Sequence, residues 1–152
     1  MSPNGEAYLV NPDAPEGSAR FPQARFAPST SHRTLYVSGT ACVRPTDGTW
    51  PGVTENDDGT LTLDIHQQTA AMLDNVDTII KGATGGKGGV KNVIDAVVYL
   101  VNMERDYVGM NEEWNKVFAT RASAPARATV GVKDLPDPRM IVEVKATAVV
   151  DV

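Results

Sequence analysis

Two alternating stretches near the end of this 152-residue chain constrain its fold more than any other feature. From Arg127 the odd positions are Thr129, Gly131 and Lys133, and the even ones are Ala128, Val130 and Val132. In the closing stretch Met140, Val142, Val144, Ala146 and Ala148 form one row, and Ile141, Glu143, Lys145 and Thr147 the other. Side chains along a strand point alternately to opposite faces. Each stretch therefore reads as a strand with an apolar face for a core and a second face carrying a few polar groups. The arginine at the head of the first strand is a planar fork of donors, suited to gripping a carboxylate through two parallel hydrogen bonds.

Upstream, the first twenty residues read as an irregular N-terminal segment, with turn chemistry at Asn11-Pro12-Asp13 and a short strand over Ala7 to Val10. A strand over Arg33 to Thr40 stops at Ser38-Gly39, a polar loop runs from Arg44 to Gly59, and Leu61 to Leu63 forms a short strand. Asp64 caps a helix, with Gln67 completing a capping box. Its buried stripe is Ile65, Thr69, Met72, Val76, Ile79 and Ala83, and the glycines of Thr84 to Gly89 end it. Asn92 to Met103 reads as a central strand covered on both faces. Asp106 to Ala119 reads as a second helix with Tyr107, Met110, Trp114, Val117 and Phe118 inward. This order predicts a single α+β domain over residues 1–152, with one mixed sheet and both helices on one face. Tyr99 and Val101 then lie on the uncovered side, which predicts a homo-oligomer.

Composition removes several function classes. A net charge of −5 speaks against a nucleic-acid groove, which needs clustered Lys and Arg. One cysteine, Cys42, and two histidines, His32 and His66, give no disulfide and no metal-ligand set. The chain has no apolar run long enough to span a bilayer and no leader pattern, so no membrane is expected and the cytoplasm is the expected compartment. The run Thr84 to Gly89 lacks a Gly-Lys-Ser/Thr ending and follows a helix, so it reads as a connection and not a phosphate loop.

Ser38-Gly39, Gln68-Thr69, Asn111, Pro125-Ala126-Arg127, and Leu135-Pro136 with Val142-Glu143 together resemble the reactive intermediate deaminase (RidA/YjgF) family. Ser38-Gly39-Thr40 with Arg44-Pro45, Leu63-Asp64-Ile65, Leu100-Val101-Asn102-Met103 and Val142-Glu143-Val144-Lys145-Ala146 are most similar to its 2-aminomuconate deaminase branch. The resemblance implies a chorismate-mutase-like fold, a homotrimer with clefts between subunits, and hydrolysis of enamines and imines to ketones and ammonia without cofactor. It implies that Arg127 binds the substrate carboxylate and that Ser38 and Gly39 line the pocket. It also implies a pocket role for Asn111, placed at the start of the second helix, with Thr129 and Phe21 beside the ligand. Lys145 stands where deaminating members commonly carry a glutamate that positions water.

The chemistry asks the protein to orient an electrophilic imine carbon and admit water. Ser38, Asn111 and Glu143 are candidates for directing that water or relaying protons. A substrate with two carboxylates calls for a second cation, for which Arg44 ranks ahead of Arg20 and Lys145 because it follows the Ser38 strand end. Plainer readings stand beside these. Arg127 could pair with Glu143, Glu143 with Lys145 across one strand face, and Arg44 could be solvated; Cys42 packs as a small hydrophobe. The expected activity is hydrolytic deamination of 2-aminomuconate or a similar small carboxylate. A broad enamine/imine deaminase acting on 2-aminoacrylate and a non-catalytic small-acid-binding trimer are the alternatives.

Overall fold

A capped helix and a four-stranded sheet organise the chain. The computed structural model describes residues 2–9, 11–17, 20–22, 24–28 and 31–151. Its strands are β1 (Glu6–Tyr8), β2 (Ala24–Phe26), β3 (His32–Thr40), β4 (Val53–Glu55), β5 (Leu61–Leu63), β6 (Val93–Leu100), β7 (Ala126–Gly131) and β8 (Val142–Asp151). Its helices are α1 (Ile65–Ala83) and α2 (Met103–Val117). The main sheet has the order β3-β8-β6-β7, antiparallel except for the parallel β6/β7 pair that α2 connects. Two-stranded ribbons β1-β2 and β4-β5 flank it. The expected α+β architecture, two helices packed on one face of a mixed sheet, is what the chain adopts.

Asp64 starts α1 as expected, its carboxylate accepting the Gln67 backbone N–H at 3.0 Å. The Gln67 amide reaches back to the Asp64 side chain (3.4 Å), while the Asp64 backbone N–H is held by the Gly52 carbonyl. The buried stripe is wider than the expected one, with Leu73 and Ile80 joining Met72 and Val76, and Ala83 is exposed in the last turn. Buried polar residues on α1 brace loops: Gln68 bonds the Arg139 carbonyl and Ile141 N–H, and Asn75 the Ala41 and Val43 carbonyls. These helix residues pack on Val93, Ala96, Val98 and Leu100 of β6 and Val142, Val144, Ala146 and Ala148 of β8.

Four expectations are corrected. Helix α2 begins at Met103, because Asn102 caps it by accepting the Arg105 N–H, so Asn111 lies mid-helix and not at its start. Strand β6 is covered on one face only; Val97 and Tyr99 on the other are half-buried, and Val101 lies beyond the strand end. The short strand expected over Ala7 to Val10 in the N-terminal segment spans Glu6–Tyr8 instead, as β1; Val10 lies outside the described residues. Arg25 fastens the β1-β2 ribbon by bonding the carbonyls of Asn4, Gly5, Ala122 and Ala124.

The fourth correction matters most. In β7 the apolar row is the outward one: Ala128 and Val130 pair with Val97 and Tyr99 on the open face, and Val130 is 41% exposed. The row carrying Arg127 and Thr129 pairs with the core residues Ala96 and Val98 and turns toward the helices. Because β7 is an edge strand, its inner face meets a cavity under α2 as well as packed core, and there polar groups are accommodated.

Candidate functional site

Arg127 is the centre of one polar group. Its Nη1 donates to the Asn111 Oδ1 at 2.9 Å and lies 3.7 Å from the Met110 sulfur. The guanidinium carbon stands 4.8 Å from the Trp114 ring centre and 5.2 Å from that of Phe21, so the planar cation is flanked by two aromatic faces. Phe21 is held in place because the Trp114 indole N–H donates to the Arg20 carbonyl (2.8 Å) and the Arg20 N–H to the Asn115 side chain (2.9 Å). Burial lowers the Arg127 pKa, while the charge interaction with its neighbour Tyr107 and a hydrogen bond that the guanidinium donates to the Tyr107 oxygen work in the opposite direction. No carboxylate pairs with Arg127 among the described residues.

Beside this cation is a cavity of about 240 Å³ lined by Phe21, Met103, Tyr107, Arg127 and Thr129. Two buried polar atoms of that lining, Arg127 Nε and Thr129 Oγ1, have no hydrogen-bond partner. Buried polar groups are nearly always satisfied, and an orphan donor costs about 1–3 kcal/mol, more when charged. An acceptor-rich small molecule in the cavity would satisfy both.

A second group forms on the open face. Between Val37 and Thr40 the β3/β8 register slips, so Ser38 and Gly39 together stand opposite Lys145. Such a bulge takes backbone out of the ladder and re-aims the residues it contains; Ser38 and Gly39 are both exposed. Lys145 Nζ donates to the Val37 carbonyl at 2.6 Å and lies 3.4 Å from that of Ala146, forming no ion pair with Glu143. A Cβ on Gly39 would stand 2.5 Å from Glu143 Oε1, so the bare glycine is what admits that carboxylate.

The sequence candidates thus sort into two sets. Arg127, Asn111, Thr129 and Phe21 gather on the helix side of β7, and Ser38, Gly39, Glu143 and Lys145 on the open side of β3 and β8. Arg44 joins neither, since its guanidinium is bound to Asp74 (2.6 Å) and Asn75 (3.1 Å) on α1. Arg20 lies near Glu16 at 3.8 Å. Cys42 is fully buried, and burial pushes its thiol pKa up. Sequence reasoning took Tyr107 and Trp114 as core residues and quoted Met103 in a motif without giving it a place at the site. Their signal was present: Met103, Tyr107, Asn111 and Trp114 recur at spacings of four, four and three, one face of α2 that carries an amide and a phenol.

Among the described residues no cluster of three His, Cys, Asp or Glu is placed to hold a metal ion, and no helix is long and apolar enough to cross a membrane.

Comparison with known proteins follows the same line. The sequence model of the family described as Endoribonuclease L-PSP matches residues 13–150. A RutC family protein from Aquifex aeolicus is 28% identical over 104 residues, covering 67% of this chain and 70% of its own. The Yersinia pestis protein YyfB, of the conserved Rid family and of unknown function, superposes with a TM-score of 0.68 at 21% identity, covering 93% of this chain and 96% of its own. E. coli TdcF, solved with bound serine, gives 0.60 at 24% identity, covering 88% and 95%. At these identities the two structures speak for the fold alone.

Proposed function

The chain belongs to the Endoribonuclease L-PSP family, the RidA/YjgF proteins, and on that premise we propose that it hydrolyses the imine or enamine of a small unsaturated amino-dicarboxylate, with 2-aminomuconate as substrate. The observation that carries this reading is Arg127: a half-buried cation with no acidic partner, beside a cavity into which it and Thr129 bring unpaired polar atoms. A carboxylate is the ligand such a fork selects. TdcF with its bound serine is a relative whose ligand carries that group.

The enamine first becomes its imine tautomer, gaining a proton on carbon as the nitrogen gives one up, and with the carboxylate on Arg127 the adjacent C=N carbon is then electrophilic. Water adds to it, giving a carbinolamine; the hydroxyl proton passes to the nitrogen, the C–N bond breaks with loss of ammonia, and the 2-oxo acid remains. Glu143 is the acid we assign to orienting the attacking water, with Ser38 beside it. It lies across the sheet from Arg127 in the same protomer, so a site using both draws them from two copies. A homotrimer with its sites at the contacts between subunits meets that need. The open face, where Tyr36 is 75% exposed, is the surface we assign to those contacts.

The test is ammonia release from enzymatically generated 2-aminomuconate by the wild type and by Arg127→Ala, with oligomeric state measured alongside. Loss of activity in an intact oligomer is expected; full activity in the variant refutes the assignment. Equal turnover of 2-aminoacrylate widens the reading to a broad imine deaminase, and ligand binding without ammonia release makes the protein a small-acid binder. The family description favours RNA cleavage as a second reading, which the net charge of −5 opposes; an RNA substrate serves as its control.

A further inference from the structure

We propose that Lys145, supplied by a neighbouring copy, binds the second carboxylate of the substrate and makes the site selective for dicarboxylates. This rests on the deaminase reading above and deepens it. Of the cations the sequence puts forward, Arg44 is neutralised by Asp74 at 2.6 Å and Arg20 lies 3.8 Å from Glu16. Arg127 and Lys145 alone in that set have no acidic partner among the described residues. Lys145 is also held in place. Its ammonium is fixed on the Val37 carbonyl at 2.6 Å, with the Ala146 carbonyl at 3.4 Å, beside the Ser38-Gly39 bulge.

Neutral carbonyls orient an ammonium without cancelling its charge. A lysine has three donors, and these two acceptors leave one uncommitted. Glu143, two positions away on the same face, does not pair with Lys145; its carboxylate stands over Gly39 instead. Where two protomers meet, a monoanion on Arg127 would leave the Lys145 charge enclosed and unpaired, which is unfavourable. A dianion satisfies both cations. The fork of Arg127 takes one carboxylate in two parallel bonds, and the compact ammonium of Lys145 takes the other as a point charge.

The probes are muconate and sorbate, which share a six-carbon diene skeleton and differ by one carboxylate. Calorimetry on the full chain, wild type and Lys145→Met, gives the ratio of their affinities. Removing a charge-assisted contact is expected to lower the preference for muconate about 10- to 100-fold, and Lys145→Arg is expected to retain most of it. An unchanged preference in Lys145→Met overturns the proposal while leaving carboxylate binding at Arg127 standing. If the wild type binds neither acid, the deaminase reading falls and this proposal with it. The same ratio in kcat/KM for dicarboxylate over monocarboxylate imines must move with the affinities; if it does not, the proposal is overturned.

Discussion

Glu143 Oε1 occupies space that a Cβ on Gly39 would need, the two positions being 2.5 Å apart. The clash is with the end of a flexible side chain, so Gly39→Ala should displace the carboxylate and leave the fold intact. Stability should change by no more than about 0.5 kcal/mol, the range of surface changes, while kcat for ammonia release falls at least tenfold. In a Glu143→Ala background the same glycine change should cost nothing further, because the group it displaces is gone.

The Asn111 amide holds Arg127 without neutralising it. Asn111→Ala should raise KM about tenfold, or roughly 1.4 kcal/mol, the scale of one hydrogen bond to a charged group. Asn111→Asp should be worse for binding than alanine despite being isosteric, since an internal carboxylate would occupy the fork that we propose holds the substrate. Calorimetric titration with muconate separates the two, and equal affinities would contradict this account of Arg127.

If each site is shared between copies, two inactive variants should rescue one another. Arg127→Ala and Glu143→Ala, unfolded together and refolded, should regain ammonia release that neither shows alone. A site built within one protomer would give no recovery. Sedimentation equilibrium of the wild type should report three times the 16.2 kDa chain mass, and Val130→Glu on the open face should lower that number.

Acid stability offers a check away from the site. Asp137 accepts the backbone N–H and Nε of Arg139 on Oδ1 and its Nη2 on Oδ2, and these bonds bring its pKa from 3.8 down to about 2. A carboxyl depressed by folding stabilises above its unfolded pKa and loses that contribution as pH falls through its folded pKa. Wild type should therefore unfold at higher urea than Asp137→Asn at neutral pH, and the two curves should converge as pH drops from about 4 to about 2. Curves that stay parallel over that range would exclude the linkage.

The residues made some of this architecture legible and hid the rest for identifiable reasons. Asp64 and the stripe through Met72 and Val76 located α1, because a cap and a 3.6-residue period are local signals. Alternation located β7 and β8 but could not say which row of β7 packs inward. Register with Ala96 and Val98 decides that, and it put Arg127 inside and Val130 outside. Arg44 looked available from its place in a loop, yet Asp74, thirty residues on, captures it. Lys145 and Glu143 looked like an ordinary strand pair; the bulge at Ser38-Gly39, invisible in a single strand's pattern, offers each a different neighbour.

Arg20 and Phe21 precede every strand of the four-stranded sheet, yet they roof the cation on its far edge, tethered there by the indole of Trp114. Shortening the chain to start at His32 would leave both helices and all four sheet strands in sequence while stripping one aromatic wall from the guanidinium. Water would enter from that side, and the grip on any anion would slacken. The early residues thus shelter this cation, and a fusion joined too close to them would be felt at Arg127.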